Sequence, residues 1–197
     1  MLVVVGGHSR NIGKTSVVAG LIRALLQARW TAVKITQHGH GICSAAGEPC
    51  DCAIDYTHPY ALDQQTAPDS TDSGRFLAAG ADRSWWLRTR VGELGHGMPA
   101  LRHILQDGVN AILESNSVLQ FLNPDLYLAV LDFSVEDFKD STRRYLDRAD
   151  ALVITGPPAQ PPWPGVPPGW LEQKPRFPVS RPTFVSEDLV RFVASAL

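Results

Sequence analysis

Three consecutive residues near the start of the chain, Gly13-Lys14-Thr15, carry the groups that bind phosphate in many proteins. They follow the apolar run LVVVGG and precede a segment with helical spacing. Glycine lets backbone N–H groups approach an anion, a lysine neutralises phosphate oxygens, and a hydroxyl can bind Mg²⁺. This order of residue types predicts a loop that holds the phosphates of a nucleotide.

The predicted loop is one residue longer than the usual G-x-x-x-x-G-K-[ST] pattern. His8 stands where that pattern has its first glycine, so Gly7 takes this role instead. All residues of the longer loop are then candidates for nucleotide contact. They are Gly7, His8, Ser9, Arg10, Asn11, Ile12, Gly13, Lys14, Thr15 and Ser16.

Two carboxylates are candidates for the Mg²⁺ that accompanies a nucleotide. Glu114 ends the apolar run NAILE, which places it at the carboxyl edge of a parallel sheet, where open α/β folds bind ligands. We expect Glu114 and the Thr15 hydroxyl to bind this metal. Asp72 is predicted either to orient water or metal or to be the N-cap of a helix. Arg75, in the same helix, is a candidate phosphate contact.

A group of cysteine and histidine residues lies between positions 38 and 58. Cys43, Cys50, Cys52 and His40 would make a Cys₃His set for zinc or for a softer metal such as Cu(I). Paired C-x₂₋₄-C spacing, the usual sign of a zinc site, is missing from this group. Three interpretations therefore stay open: a soft-metal site, incidental thiols, and histidines that serve the nucleotide site while the cysteines have no role.

The elements that would position these residues follow from alternating short β-rich runs and longer amphipathic segments. This alternation predicts an α/β fold with three layers, in which helices flank a mostly parallel central sheet. The predicted strands are LVVVGG, TAVKIT, SWWLRT, VNAILESN, DLYLAVLDF, ALVIT and TFVS. The predicted helices are KTSVVAGLIRALLQA, SGRFLAAGA, residues 94–106, SVEDFKDSTRRYLDRA with Ser134 as its N-cap, and EDLVRFVASA.

Two segments are predicted to be irregular within a single domain of residues 1–197. Residues 38–68 are polar and show no period, which indicates a long functional loop. Residues 157–182 form a proline-rich arm that includes GPPAQPPWPGVPPGW, where proline removes backbone donors. Trp163 and Trp170 in this arm would bind a partner or pack over a sheet edge.

Charge and composition limit the class of partner. The chain has 18 Lys and Arg against 20 Asp and Glu, so no basic field favours nucleic acid or a membrane surface. No stretch approaches the roughly 20 apolar residues that span a bilayer, and we expect a cytoplasmic protein. Three cysteines, an odd number, do not make a disulfide framework.

The long G-x₅-G-K-T loop resembles the P-loop proteins of the dethiobiotin synthetase and MinD-like class. AVKITQHGHG and ALDQQTAPDSTDSGRFLAAGA are similar, more narrowly, to the molybdopterin-guanine dinucleotide biosynthesis adaptor protein B family, over about residues 1 to 155. That family typically has V-K-H-x-x-H, and further on an aspartate, a gap, then D-[ST]-x-R and an A-G-A ending. The matching positions here are Asp63, Asp72, Ser73, Arg75, Ala79, Gly80 and Ala81.

The resemblance implies a homodimer that binds GTP with Mg²⁺, hydrolyses it slowly and serves a molybdenum-cofactor biosynthesis enzyme. Lys14, Glu114 and Asp72 would then act on the phosphates and the metal by position and charge. Guanine-specific P-loop proteins often have Asn-Lys-x-Asp after a late strand, and this chain has Thr155-Gly156 in place of Asn-Lys. The choice between GTP and ATP therefore stays open.

Two other functions are consistent with the sequence. The loop length also resembles that of dethiobiotin synthetase, which implies an ATP-dependent synthetase or kinase for a small acid, with Lys34 in the substrate pocket. Alternatively, residues 38–58 handle a metal such as Zn²⁺, and the nucleotide switches that activity. These alternatives differ in the residues that do the work.

Overall fold

The first apolar run forms strand β1 (Leu2–Gly7) in a computed structural model that describes residues 1–38, 58–106, 109–157 and 161–197. Val3, Val4 and Val5 are completely buried, because both faces of this central strand are covered. Strand β1 ends at the two glycines that open the predicted phosphate loop.

Eight strands form one sheet, and the predicted α/β class is confirmed. After β1 come β2 (Thr31–His38), β3 (Tyr60–Gln65), β4 (Arg83–Arg90), β5 (Ala111–Glu114), β6 (Leu126–Leu131), β7 (Ala151–Ile154) and β8 (Arg176–Pro178). Their order across the sheet is β3-β4-β2-β5-β1-β6-β7-β8. Neighbouring strands pair in parallel except β3, which is antiparallel to β4.

Helices cover both faces of the sheet. They are α1 (Lys14–Ala24), α2 (Asp72–Ala78), α3 (Leu94–Ile104), α4 (Asp140–Arg143), α5 (Pro168–Glu172) and α6 (Glu187–Ala194). One buried cluster joins Val3 and Val5 to residues of α1, α2 and α6. A second cluster joins Val4 to residues of α3 and α5. Alternate residues of β1 thus face opposite layers, which gives the predicted three-layer arrangement.

The register of the central strands sets which side chains meet at the carboxyl edge. Glu114 of β5 lies opposite Val5 of β1 on one side and opposite Lys34 of β2 on the other. Gly7 of β1 lies opposite Val130 of β6. The ends of β1, β2 and β5 therefore converge beside the residues that follow Gly7.

In the described ranges, no helix has both the length and the apolar character needed to cross a bilayer.

Strand β3 corrects the prediction that residues 38–68 are entirely loop. Residues 60–65 pair with β4, with Tyr60 opposite Thr89 and Gln65 opposite Ser84. Their sequence, YALDQQ, lacks the β-branched alternation that marks a strand. The ladder to β4 forms this edge strand, and the local sequence preference contributes little.

The predicted helix over residues 134–149 is wrong for most of its length. Only α4 and a 3₁₀ turn at Leu146–Arg148 are helical there. Asp132 explains the break, because its Oδ1 accepts hydrogen bonds from the Ser134 N–H at 2.9 Å and the Ser134 hydroxyl at 2.5 Å. This local turn competes with a helix, and the following residues contact the phosphate loop instead.

Two predictions near the C-terminus also need correction. Residues 183–186, TFVS, are not a strand, and β8 at Arg176–Pro178 completes the sheet earlier. The proline-rich arm is not wholly irregular either, since α5 begins at Pro168. Proline is tolerated at a first helical position because its missing N–H would have no intrahelical partner. The terminal helix α6 forms as predicted, with the Ser186 side chain as its N-cap.

Candidate functional site

The phosphate loop needs glycine at two positions for different reasons. A Cβ on Gly7 would come within 2.9 Å of the Val130 carbonyl oxygen, so only glycine fits beside β6. Gly13, the residue before α1, has φ of 91°, a left-handed conformation that glycine adopts without strain. The chain can therefore turn sharply out of β1 and enter α1 at Lys14.

A cavity of about 1010 Å³ opens at the carboxyl edge beside this loop. Gly7 and residues 10–16 line it, whereas His8 and Ser9 do not. The predicted partners outside the loop, Asp72, Arg75 and Glu114, line it as well. The structure thus brings most of the sequence-predicted residues to one place.

Lys14 lies in a partly enclosed position, where its ammonium donates a hydrogen bond to the Ser9 carbonyl. Burial lowers the pKa of Lys14 to about 8. The Glu114 carboxylate opposes this shift, and the charges of Lys139 and Lys34 add to it. An incoming phosphate would replace the carbonyl as partner and favour the protonated lysine.

Thr15 and Glu114 meet directly. The Thr15 hydroxyl donates to Glu114 Oε2 at 2.8 Å, and the Glu114 side chain is only 3% exposed. Lys34 Nζ lies 2.6 Å from Glu114 Oε1 and 2.6 Å from Asp72 Oδ2. Glu114 and Asp72 therefore both contact the Lys34 ammonium, and the Thr15 hydroxyl contacts Glu114 at the end of the loop.

The charges in this group stabilise one another. Burial disfavours the Lys34 ammonium, but the carboxylates of Glu114 and Asp72 outweigh this effect and raise the pKa of Lys34. Burial by itself would raise the pKa of Asp72, but the nearby Lys34 ammonium holds the pKa of Asp72 below its usual value. Both groups stay ionised at neutral pH.

Asp72 is not the N-cap of α2. Thr71 has this role, since its hydroxyl accepts a hydrogen bond from the Gly74 N–H at 3.1 Å. The N-cap interpretation of Asp72 is therefore wrong, and its carboxylate points instead to Lys34. Arg75 reaches α1, where its Nη2 donates to the Ser16 hydroxyl at 3.0 Å.

The inserted residue of the loop, His8, is a completely buried structural group. Its Nε2 accepts a hydrogen bond from the Asp132 N–H at 3.0 Å, so Nδ1 carries the proton and donates to the Asp137 carbonyl at 2.7 Å. Burial lowers the pKa of His8, which favours this neutral form. The ring also packs on Phe138 and Trp163.

Sequence reasoning missed Asn116, which fixes the start of the loop. Asn116 accepts a hydrogen bond from the Gly7 N–H at 2.8 Å and donates to the Gly7 carbonyl at 2.9 Å. The Thr142 hydroxyl also donates to this carbonyl, at 2.8 Å. The available signal was its place two residues after Glu114, at the end of a buried strand.

Three further cavity residues, Lys139, Arg181 and Phe184, were also missed. Phe184 has φ of 54°, and its ring lies 2.8 Å from the position of a Cβ on Gly13. Scarcity was a usable signal for Lys139. The chain has four lysines, and three of them, Lys14, Lys34 and Lys139, line this cavity.

The predicted soft-metal set of Cys43, Cys50, Cys52 and His40 lies outside the described residues. Among the residues that the structure does describe, no group of three or more His, Cys, Asp and Glu side chains is placed to hold a metal ion.

No family model and no curated protein sequence matches this chain. A solved structure of HypB from Helicobacter pylori in complex with nickel is similar, with a TM-score of 0.51 and 14% identity over 98% of this chain and 85% of HypB. A structure of LpxK from Aquifex aeolicus in complex with ATP aligns with a TM-score of 0.48 and 17% identity. That alignment covers 90% of this chain, which spans about half of LpxK, 53%. The likeness to HypB shows that the two chains share a three-layer α/β fold.

Proposed function

We propose that the protein binds a nucleoside triphosphate with Mg²⁺ in this cavity and hydrolyses it slowly. The observation that carries the proposal is the 2.8 Å contact between Thr15 and Glu114, directly after a loop that presents Lys14. A hydroxyl and a carboxylate at this place are the usual protein ligands of a nucleotide-bound Mg²⁺. Residues 99 positions apart in the sequence meet there.

The donor set fits Mg²⁺. This ion prefers six oxygen ligands and is usually bound by one or two carboxylates, with phosphate oxygens and waters completing its shell. Thr15, Glu114 and Asp72 supply a hydroxyl and two carboxylates, all oxygen donors. When bound, Mg²⁺ would neutralise charge on the β- and γ-phosphates.

The side chains of the cavity act by position and charge. Backbone N–H groups of residues 10–15 and the N-terminus of α1 would hold the phosphates, and Lys14 would neutralise their oxygens. Arg75 would support the loop through Ser16. No covalent intermediate is required, because phosphoryl transfer depends mainly on placement and electrostatic stabilisation.

We extend the proposal to GTP as the nucleotide, on the resemblance to the molybdopterin-guanine dinucleotide biosynthesis adaptor family. The elements V-K-I-T-Q-H and D-S-G-R support it, and the second contains Asp72 and Arg75 of the cavity. The same resemblance supports a cytoplasmic homodimer that serves a molybdenum-cofactor biosynthesis enzyme. Gel filtration with light scattering tests the dimer, and a monomer at all concentrations would contradict it.

An ATP-dependent synthetase or kinase for a small acid is the second candidate. The cavity favours it in one respect, because it extends past the phosphate loop to Gln37 and Ser117 at the ends of β2 and β5. A second small ligand would fit beside the phosphates there. Lys34, proposed for that ligand, would first have to leave Glu114 and Asp72.

Thermal unfolding with a panel of nucleotides tests the proposal and separates the two candidates. The panel holds GTP, ATP, GDP, ADP and the hydrolysis-resistant triphosphate analogues, each with and without Mg²⁺. At a ligand concentration of 100 times Kd, binding stabilises the folded state by about 2.7 kcal/mol, which raises Tm by roughly 5 to 10 °C for a chain of this size. A shift with GTP alone supports GTP as the nucleotide of the first candidate, and a shift with ATP alone contradicts that extension and is what the second candidate requires. Unchanged unfolding with every nucleotide would overturn both.

A further inference from the structure

Lys139 lies beside the phosphate loop, although its segment is distant from that loop in the sequence. Its backbone N–H donates to the His8 carbonyl at 2.9 Å, and its side chain lines the cavity together with Arg10 and Lys14. The side chain is half-buried. The fold therefore holds a second lysine beside the loop lysine.

The Lys139 ammonium differs from the other two lysines of the cavity in its partners. Lys34 pairs with two carboxylates, and Lys14 donates to the Ser9 carbonyl. In the described parts of the chain, the Lys139 ammonium makes neither a hydrogen bond nor an ion pair. Burial lowers the pKa of Lys139, and the charge of Arg10 lowers it further. An anion bound in the cavity would relieve both effects.

The segment that carries Lys139 is fixed to the loop on both sides of it. Before it, the Asp137 carboxylate accepts a hydrogen bond from the Ser9 hydroxyl at 2.6 Å, and the Asp137 carbonyl accepts one from His8 at 2.7 Å. After it, Thr142 donates to the Gly7 carbonyl at 2.8 Å. These contacts set the position of Lys139 relative to the phosphates that the loop would hold.

We propose that Lys139 is a catalytic residue that contacts the terminal phosphate of the bound triphosphate and stabilises the charge that develops there during hydrolysis. This inference rests on the proposed function. It assigns to the chain itself a cation of the kind that other P-loop proteins take from an arginine. Lys14 would serve the β- and γ-phosphates from the loop, and Lys139 would approach the γ-phosphate from the segment after β6.

The hydrolysis step that Lys139 would assist needs no reactant other than the triphosphate and water. A water oxygen forms a bond to the γ-phosphorus, and the bond from this phosphorus to the β–γ bridging oxygen breaks. The electron pair of that bond stays on the diphosphate, and a proton of the water passes to the released phosphate. Lys139 keeps its proton throughout and offers its N–H groups to the γ-phosphate oxygens.

The test compares triphosphate and diphosphate binding in the Lys139→Met variant, which removes the charge and keeps the chain length. Calorimetry with a hydrolysis-resistant GTP analogue and with GDP should show roughly ten- to hundredfold weaker triphosphate binding, the range for a lost charge-assisted hydrogen bond, and unchanged GDP binding. Single-turnover hydrolysis should slow by roughly 10²- to 10³-fold, as for loss of one charge-stabilising donor. Arg144→Met is the matched control, because it removes an exposed cation of the same segment that does not line the cavity.

Retained GDP binding shows that the variant is folded, and Lys139→Arg should restore most of the triphosphate preference because it restores the charge. Equal losses for GDP and the triphosphate, or no loss for either, would overturn the assignment of Lys139. Should Lys139→Met fail to fold, a triphosphate preference in Lys139→Arg equal to that of the wild type supports the inference, and its absence overturns it. Failure of the proposed function looks different, since the wild type itself would then bind neither nucleotide.

Discussion

Lys14 shows how the environment of one residue sets the behaviour of the whole site. Its position between Gly13 and Thr15 is a matter of sequence, but its charge depends on burial and on Glu114, Lys139 and Lys34. With a pKa of about 8, Lys14 is protonated at neutral pH and loses its proton under mildly alkaline conditions. Phosphate binding should therefore depend on pH in a range where the phosphates themselves no longer titrate.

The first prediction concerns this pH dependence. Bound phosphates raise the pKa of Lys14, so affinity should be flat between about pH 7 and pH 8, where the free protein already carries the proton and the phosphates no longer titrate. Above pH 8 binding must take up a proton, and affinity should fall by up to about tenfold per pH unit. Calorimetry in buffers of different ionisation enthalpy measures the uptake. Lys14→Arg should reduce it, because a guanidinium stays protonated; equal uptake in both proteins would contradict this account of Lys14.

The second prediction concerns Asn116. Replacing it with alanine leaves the N–H of Gly7 without its partner and removes a donor to the Gly7 carbonyl, at a cost of about 1 to 3 kcal/mol in unfolding free energy. Urea denaturation measures this loss, and nucleotide affinity should fall with it. Asn110→Ala is the control, since Asn110 bonds Met1 and Ala28 at the opposite edge of the sheet. An equal loss of nucleotide affinity in both variants would be evidence against a role of Asn116 in the loop.

Single residues of the site were predictable where a short spacing carries the chemistry. Gly13, Lys14 and Thr15 are adjacent, and Glu114 ends a buried strand, so their place in the cavity follows from local sequence. Asn116 and the structural role of His8 were not predictable, because their partners lie more than 100 positions away along the chain. Nothing in the local sequence near position 8 indicates a contact with Asp137.

In the segment after β6, tertiary contacts override the local preference for a helix. SVEDFKDSTRRYLDRA has a suitable N-cap and acidic residues in its first turn, which favours a helix. The structure uses its first half to cover the phosphate loop, with His8 and Trp163 packed against Phe138. The Trp163 Nε1–H also donates to the Val135 carbonyl at 2.9 Å. The proline-rich arm and the phosphate loop are thus joined through one aromatic cluster.

The third prediction tests this connection with Trp163→Ala. Trp163 is 5% exposed, and loss of its ring should lower the free energy of unfolding by about 3 to 5 kcal/mol, the range for a buried aromatic residue. Urea denaturation gives the value. Trp170→Ala changes the same residue type at a half-buried position of α5 and should cost less. A smaller loss for Trp163→Ala than for Trp170→Ala would mean that the cluster does not anchor the arm.

The strand order brings residues that are distant in the sequence to one edge of the sheet. The central strands β1, β5 and β6 were visible in the sequence because their residues are mostly apolar, and β2 because apolar residues alternate with polar ones in it. The edge strands β3 and β8 were not, since one is half polar and the other has only three residues. The sheet recruits both through pairing with a neighbour. Alternation thus predicts the centre of an α/β fold more reliably than its edges.

Phosphate binding by the loop is tested by the calorimetric affinity of a triphosphate with Mg²⁺ for the wild type, Lys14→Ala and Arg83→Ala. Arg83 is an exposed cation at the amino end of β4, so this control removes the same charge from the opposite edge of the sheet. We predict that Lys14→Ala keeps its unfolding temperature, because the variant no longer has to bury an ammonium group. It should bind the triphosphate at least about a hundredfold more weakly, consistent with loss of charged hydrogen bonds. Arg83→Ala should bind like the wild type. Equal affinity in all three proteins would contradict the assignment of the loop as the phosphate site.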